Sequence, residues 1–583
     1  MKKRLLSMLL CIALLASMFA GCSSGAPSEE PKAPVDTKED TAVVPDEKED
    51  EFAWLHPASL PLVEEGTEKT LRIWSQIQPD GGEVEDLFIV KFIEEYMNIN
   101  VEITTFTTEN KSEMISLGFA GDDLPDIIIQ GGFSTSDLMT YGASEGQLLD
   151  IAPYLNEKYM PNLSKIYELY PQYRSTVEDT EGHIWSLGYI SDPTGRKAVA
   201  RGFVNYDRCY EYGLEIPETL DEFVDMLYKF KEEEPESYPL GGCWAYKSPS
   251  NYLLNAYGYI TPDFHGTTMA MRNGTPVLPC ADREVFGEYL TLMNKFYEDG
   301  IIHPDYFTLD KAGEKAVLAD GLAAFVCDSI HFYCPDAVPQ FWSALPLTSE
   351  YKDSATWPIG TAIATSFGQA VITAQCKEPE LAAAFLDFFY DAQMYHLAVV
   401  GPTVEDTQWH MENVNGYSLD EVGGRVYQDY LDNKDLYGSA TLYGYKHLQL
   451  WDARTFGTEC TMDDFANGIT YAGTPDWESL ADPSEMRTMD VDPNTLYQIA
   501  LESTICTYPM DECFPHAVWV DAETSVELGN TLKLIQEYAT KEIAKFITGA
   551  RPLDELDAYF DEIDRLGAAE YVEFMTEYYN STK

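Results

Sequence analysis

After residue 65 the period of apolar positions switches repeatedly between that of a strand and that of a helix. Residues 70–76 (TLRIWSQ) read as a strand, and Gly81-Gly82 leads into apolar positions at Val84, Leu87, Phe88, Phe92 and Tyr96, the spacing of a helix. A second strand is predicted over 101–106 (VEITTF). The short run 126–130 (DIIIQ), ended by Gly131-Gly132, has the unbroken apolar character of a buried parallel strand. Thr219-Leu220-Asp221-Glu222 is a capping box that opens a helix with Phe223, Leu227 and Phe230 on its apolar face. Residues 321–327 (GLAAFVC) and 370–373 (AVIT) are further strand candidates, and 378–390 (EPELAAAFLDFFY) is helical. From 525 to 579 the pattern is helical throughout, with a stop at Gly549 and Pro552. Strands alternating with helices predict α/β lobes with mostly parallel sheets.

The first 51 residues follow other rules. Lys2, Lys3 and Arg4 precede an apolar run over 5–19 that is too short to span a bilayer, which needs about 20 residues. The run ends in Phe19-Ala20-Gly21-Cys22, which resembles the lipobox of bacterial lipoproteins, with Phe19 where leucine is usual. The resemblance implies that Cys22 is acylated and becomes the mature N-terminus, and two or more acyl chains hold a protein stably on a membrane. Residues 23–51 are rich in proline, serine and acid and nearly free of aromatics, the composition of a flexible tether.

Composition then narrows the partners. A formal charge of -60 repels phosphate backbones, so nucleic-acid binding is not expected, and it disfavours docking on anionic lipid by charge. The membrane is therefore reached through the lipid anchor only. Eleven cysteines, including Cys11 and Cys22, do not form a disulfide framework, although Cys327/Cys334 and Cys506/Cys513 are near enough in sequence to pair.

Catalytic signatures are missing from the chain. It has no phosphate loop, no G-x-S-x-G elbow and no H-E-x-x-H. His410-Met411-Glu412 matches the start of a zinc-deaminase motif without the P-C-x-x-C that should follow. Asp490-Val491-Asp492-Pro493-Asn494 is like a calcium loop but has Thr495 in place of its glycine and Leu501 in place of its glutamate, so it reads as a solvated turn. No metal site, cofactor or catalytic residue is expected.

Aromatic residues are the positive signal: 10 Trp, 38 Tyr and 27 Phe exceed what core filling requires. Sugars pack their C–H faces on such rings and need a few polar partners against apolar walls. Trp74 and Gln76 end the first strand, where ligands of α/β sheets bind, and Phe133 follows Gly131-Gly132. Trp185, Trp244 and Trp357 sit among turn residues. Each tryptophan has a packing role as its alternative, but at least two are expected to line a cleft.

In order along 70–580, several motifs resemble those of the extracellular solute-binding proteins of ABC importers, in the large sugar-associated lipoprotein branch. Asp122-Asp123-Leu124-Pro125-Asp126-Ile127 is similar to that family's "dlPDi" strand, and 146–151 (GQLLDI) with Met160-Pro161-Asn162 to its "G-x-l-x-DL … PN" segment. Residues 181–187 (EGHIWSL) look like its hairpin, with Gly188 where proline is usual, and 212–223 (YGLEIPETLDEF) is close to "lGlkvPtTldEf". Lys545-Phe546-Ile547-Thr548-Gly549 and Leu566-Gly567 are similar to its terminal helices.

The resemblance implies a type II periplasmic-binding-protein-like α/β fold, with two lobes, a multi-strand hinge and a helical C-terminus. On that basis residues 1–21 are a lipoprotein signal peptide and 22–65 a lipid-anchored acidic tether. Residues 66–195 plus 366–415 make an N-terminal lobe, and 196–365 plus 416–583 a C-terminal lobe. Ligand contacts are expected at Trp74, Gln76, Gly132, Phe133, Trp185, Trp244, Asp328 and Trp357. Trp409 and Trp451 are further platforms or packing residues. The implied function is a membrane-anchored, extracytoplasmic receptor that captures an oligosaccharide and serves ABC permease subunits. A surface carbohydrate-active enzyme, or a receptor of this fold for peptide or another solute, is the alternative.

Overall fold

The computed structural model describes residues 51–582 except 78–83, 85–87, 108–109, 122, 191–201, 245–247, 262, 328–334, 358–365, 393, 396–456 and 459–511. Contacts divide the chain into Met1–Glu51 and Phe52–Lys583, and both lobes belong to the second unit. Cys22, Asp328, Trp409, Trp451 and the His410 and Asp490 motifs lie outside the described residues. So does Cys334 or Cys506 of each candidate cysteine pair.

The first lobe starts earlier than residue 66. Within the segment expected to be tether, Leu62 and Val63 have no exposed surface and join the lobe's main apolar cluster with Leu55 and Leu60. The Val63 N–H donates to the Met97 carbonyl at 3.1 Å, and Lys69 lies 3.9 Å over the Trp54 ring. The boundary moves because 52–65 carries aromatic and aliphatic anchors that the acidic, proline-rich stretch before it lacks.

Three parallel strands then form: β1 (Thr70–Gln76), β2 (Asn100–Phe106) and β3 (Ile127–Ile129). Helix α1 (Phe88–Tyr96) links the first two and α2 (Lys111–Gly121) the next two, as a β-α-β pattern requires. Alternate strand positions separate the two faces of the sheet. Leu71, Ile73, Ile127 and Ile129 face one apolar cluster, while Trp74 and Ile128 face another. Chain direction then reverses through a short helix α3 (Thr135–Leu138), which continues as a π-helical turn at Met139–Ser144, and runs on to α4 (Pro161–Leu169).

In the second lobe β4 (Phe203–Asn205) leads towards α5 (Leu220–Glu233), whose capping box is formed as expected. Thr219 Oγ1 accepts from the Glu222 N–H and Glu222 Oε2 accepts from the Thr219 N–H, both at 3.2 Å. Helix α6 (Phe286–Glu298) and strands β5 (Phe325–Val326) and β6 (Phe341–Ser343) follow. Here the sheet departs from the expected parallel arrangement, because β4 is antiparallel to both β5 and β6. Leu240 adds parallel bridges to Phe325 and Ile302, so the sheet is mixed. Alternation of strands and helices sets the layers of a lobe, but not the direction of every strand.

The chain next returns to the first lobe. Strand β7 (Ala370–Ile372) adds antiparallel to β3, giving the order β7-β3-β1-β2, and α7 (Pro379–Phe388) covers the sheet. The described chain ends in α8 (Ala522–Ile547), α9 (Leu556–Arg565) and α10 (Ala568–Ser581). Helix α8 has 26 residues, about 39 Å of length. Its Ile535, Ala539, Ile543, Phe546 and Ile547 are buried in the second-lobe core.

One carboxylate ties the first lobe together. Asp387 of α7 has no exposed surface, and its two oxygens accept from the Asn162 and Leu163 N–H groups at 3.0 and 2.8 Å. It thereby caps α4 from another element, because Met160 offers no side-chain cap. Burial pushes the Asp387 carboxyl up to about 7, opposed by the two amide donors and reinforced by nearby Asp391. Its folded value lies above the unfolded one, so its contribution is full below about pH 4 and lost as pH rises through 7. Replacing Asp387 by Ala should lower unfolding free energy by about 2–5 kcal/mol, since two buried donors lose their acceptor. In urea titrations from pH 5 to 8, wild-type stability should fall more steeply than that of Asp387→Asn. Equal slopes would exclude this titration.

Candidate inter-lobe binding site

The end of β3 builds the first wall of a cavity between the lobes. Gln130 (φ 63) and Gly132 (φ 69) turn the chain out of the sheet through left-handed backbone. Phe133 then donates its N–H to the Gly368 carbonyl at 2.8 Å. Gly368 (φ 73) permits this approach, because a Cβ there would lie 2.0 Å from the Phe133 carbonyl oxygen. Ser134 caps α3: its Oγ accepts from the Asp137 N–H at 3.1 Å, while Asp137 Oδ2 accepts from the Ser134 N–H at 2.9 Å. Ser134, Thr135 and Ser136 are so held at the cavity edge.

The second lobe supplies Ile260, Thr268 and Met269. Their loop is held by Asp263, which accepts from the N–H groups of His265, Thr267 and Thr268. Asn251 Nδ2 donates to the carbonyls of Thr261 and Asp263 at 2.8 and 3.0 Å. The remaining walls come from the segment before α8 and from the helices themselves, with Phe514, His516, Leu528 and Met575 among them. The cavity measures 380 Å³.

Its chemistry is unlike that of the chain as a whole. The sequence holds 98 Asp and Glu residues, yet among the described residues none lines the cavity; the polar side chains there are Ser and Thr hydroxyls, Tyr571, Cys513 and His516. The His516 ring stands 5.3 Å from Phe367, edge to face. His516 is exposed at the cavity wall, yet the protein packed around it desolvates the ring and lowers its pKa below the usual histidine value. His516 is neutral at pH 7 and serves as both donor and acceptor.

The tryptophans expected to line the cleft have other settings. Trp357 has no exposed surface and packs 5.7 Å from Tyr252 in the second-lobe core. Trp185 is buried against Gly142, with its indole N–H held by Asp179 at 2.8 Å. Neither ring has a face open to a ligand in this form. Phe133 is buried edge-on to Phe119 and Tyr141. Trp74 lies over Gly118 and borders a shallow depression with exposed residues of α2, outside the cavity. Trp244 is half-buried and stacks on His265 at 3.9 Å, also outside it. Gln76 is buried at the end of β1, and Gly132 is exposed two residues before Ser134. Sequence reasoning missed His516 and the 513–520 wall, whose only signal is a short stretch of mixed polarity ahead of a helix cap at Asp521.

A two-lobed α/β protein with a cavity between the lobes, non-ionic among the described residues, resembles solute-binding proteins in architecture, and comparison agrees. No protein-family model matches the chain. It is 27% identical over 286 residues to the fructooligosaccharide ABC transporter substrate-binding protein FusA of Streptococcus pneumoniae, covering 46% of this chain and 50% of the relative. Lipoprotein LipO of Bacillus subtilis is 21% identical over 284 residues, 45% of this chain and 51% of that protein. The chain spans about half the length of the curated relatives it matches. The solved structure of S. pneumoniae FusA in complex with kestose superposes with a TM-score of 0.65 at 18% identity, over 88% of this chain and 99% of that one. The expected likeness to substrate-binding proteins of ABC transporters, and the two-lobed fold, are thus borne out.

In nuclear magnetic resonance titrations, the His516 ring should titrate below pH 6.5. Because its folded value lies below the unfolded one, stability should fall as pH drops past about 6.5, and His516→Gln should reduce that fall. A midpoint at or above 6.5 would show that the ring is solvated.

Proposed function

We propose that this protein is a receptor that captures an oligosaccharide between its lobes and passes it to the permease of an ABC transporter. The observation that carries this reading is the cavity itself, walled by both lobes and lined, among the described residues, by apolar groups and hydroxyls without a carboxylate. Such walls suit a neutral polyol, whose C–H faces meet apolar side chains while its hydroxyls meet Ser, Thr and neutral His516. The relative named for fructooligosaccharides and the kestose complex support the same ligand class.

Binding without turnover is part of the proposal. Glycoside hydrolysis ordinarily needs two carboxyl groups flanking the bond, and the cavity lining supplies none among the described residues. The surface enzyme is therefore the weaker reading. Gly132, Gln76 and Trp244 are kept as contacts for parts of a ligand that extend past the cavity, while Trp185 and Phe133 pack within the first lobe and Trp357 in the second-lobe core. Acylation at Cys22 and residues 23–51 would keep the receptor at the extracytoplasmic face of the membrane, in line with a relative named as a lipoprotein.

Isothermal titration calorimetry with kestose and a panel of other glycans should give saturable binding, and incubation should release no new reducing ends. Thr268→Trp, which fills the cavity from the second-lobe side, should weaken binding by about tenfold or more with an unchanged melting midpoint. Response to peptides alone would remove the carbohydrate assignment, and product release would remove the receptor.

A further inference from the structure

Lys111 is out of keeping with the other cations of this chain. Half-buried or buried lysines and arginines elsewhere have acceptors: Lys69 pairs with Glu378 at 2.6 Å, Arg551 with Glu542 at 3.0 Å, and Arg272 with Asp282 at 3.0 Å. Lys231 donates to the Ser237 carbonyl, and Lys352 to Asn255 and two carbonyls. Among the described residues, Lys111 alone is a half-buried cation with neither a carboxylate nor another acceptor on its ammonium. In a sequence with 98 acidic residues against 38 basic ones, a partner would be easy to place. Partial desolvation without one is unfavourable, and it lowers the Lys111 pKa.

The surroundings keep this ammonium open. A Cβ on Gly132 would come 3.1 Å from Lys111 Nζ, so any side chain at 132 would cover the charge. Gly132 also has φ +69, which disfavours a side chain there independently. Lys111 begins α2 just beyond β2, and Gly132 follows β3, so both stand at the carboxyl ends of parallel strands. Ligands of open α/β sheets bind at those ends. Two residues past Gly132 the chain enters the cavity wall at Ser134, and the described residues of that wall include no acid to compete for the charge.

We infer that Lys111 receives a carboxylate borne by the ligand, so that the solute is an acidic, uronate-bearing oligosaccharide whose hydroxyls and C–H faces meet the cavity walls. This rests on the receptor reading above. An isolated ammonium against a ligand carboxylate makes a charge-assisted hydrogen bond, in reach once Gly132 leaves it uncovered.

Calorimetry on the full-length chain with tri-galacturonate and with neutral kestose tests this. Tri-galacturonate should bind more tightly, and its affinity should fall as salt rises from about 50 to 500 mM. Lys111→Gln should weaken tri-galacturonate by about tenfold or more while changing kestose less than about twofold. If the variant folds poorly, as judged by its melting midpoint, the salt dependence of the wild type decides. Binding of kestose with no binding of tri-galacturonate overturns the inference and leaves the receptor standing. Tri-galacturonate affinity that is indifferent to Lys111→Gln also overturns it. Silence towards every glycan overturns both.

Discussion

The packing of α8 against both lobes is the constraint on which the rest depends. Its amino-terminal turns meet the first lobe, where a Cβ on Gly529 would lie 3.3 Å from Ser136. Its carboxy-terminal half is buried in the second lobe, where Asn294 Nδ2 donates to the Phe546 carbonyl at 3.1 Å. The segment just ahead repeats the bridge: the Trp519 indole donates to the Thr176 carbonyl at 3.0 Å, and its backbone N–H to the Tyr578 hydroxyl at 3.2 Å. Helix α8 is therefore rooted in the second lobe and meets the first through Ala522 and Gly529. The cavity lies along that contact, since Ser525, Leu528, Gly529 and Leu532 all line it.

Much of the first lobe is legible in the sequence because its signals are local. The apolar triplet after Pro125 reads as a strand buried on both faces, and Ile127, Ile128 and Ile129 have no exposed surface. The Thr219 capping box is readable for the same reason, since its two hydrogen bonds span three residues. Residues 52–65 are less legible, because burial of Leu62 and Val63 depends on Met97 and the Lys69–Trp54 contact. Antiparallel pairing of β4 depends on partners more than a hundred residues away and leaves no local trace.

Aromatic abundance is informative about class and poorly informative about position. A tryptophan in a turn-rich stretch suits a ligand platform and an inter-element anchor equally, and what decides is a distant partner. For Trp185 the partner is Asp179, which also accepts from the N–H groups of Glu181 and His183 and so organises the whole hairpin. For Trp357 it is the second-lobe core. Both rings are used up by structure before a ligand arrives. His516, by contrast, lies in no motif and gains its setting from Phe367, a residue of the other lobe.

Charge placement links fold to function. Carboxylates brought together by closing lobes would repel and lose hydration, and each buried charge without a partner is costly. This chain of formal charge -60 has no acid among the described residues of the cavity lining, and desolvation there favours neutral His516. In the proposed receptor, closure would desolvate hydroxyls and apolar groups, which a polyol can satisfy, and the balance between open and closed forms would be set by what the ligand contributes to the closed one. Lys111 fits the same logic from the opposite side. A lone cation at the rim is unfavourable in the empty protein and becomes favourable only when an anion arrives, so it gives an acidic ligand a differential affinity for the closed form that a neutral one lacks.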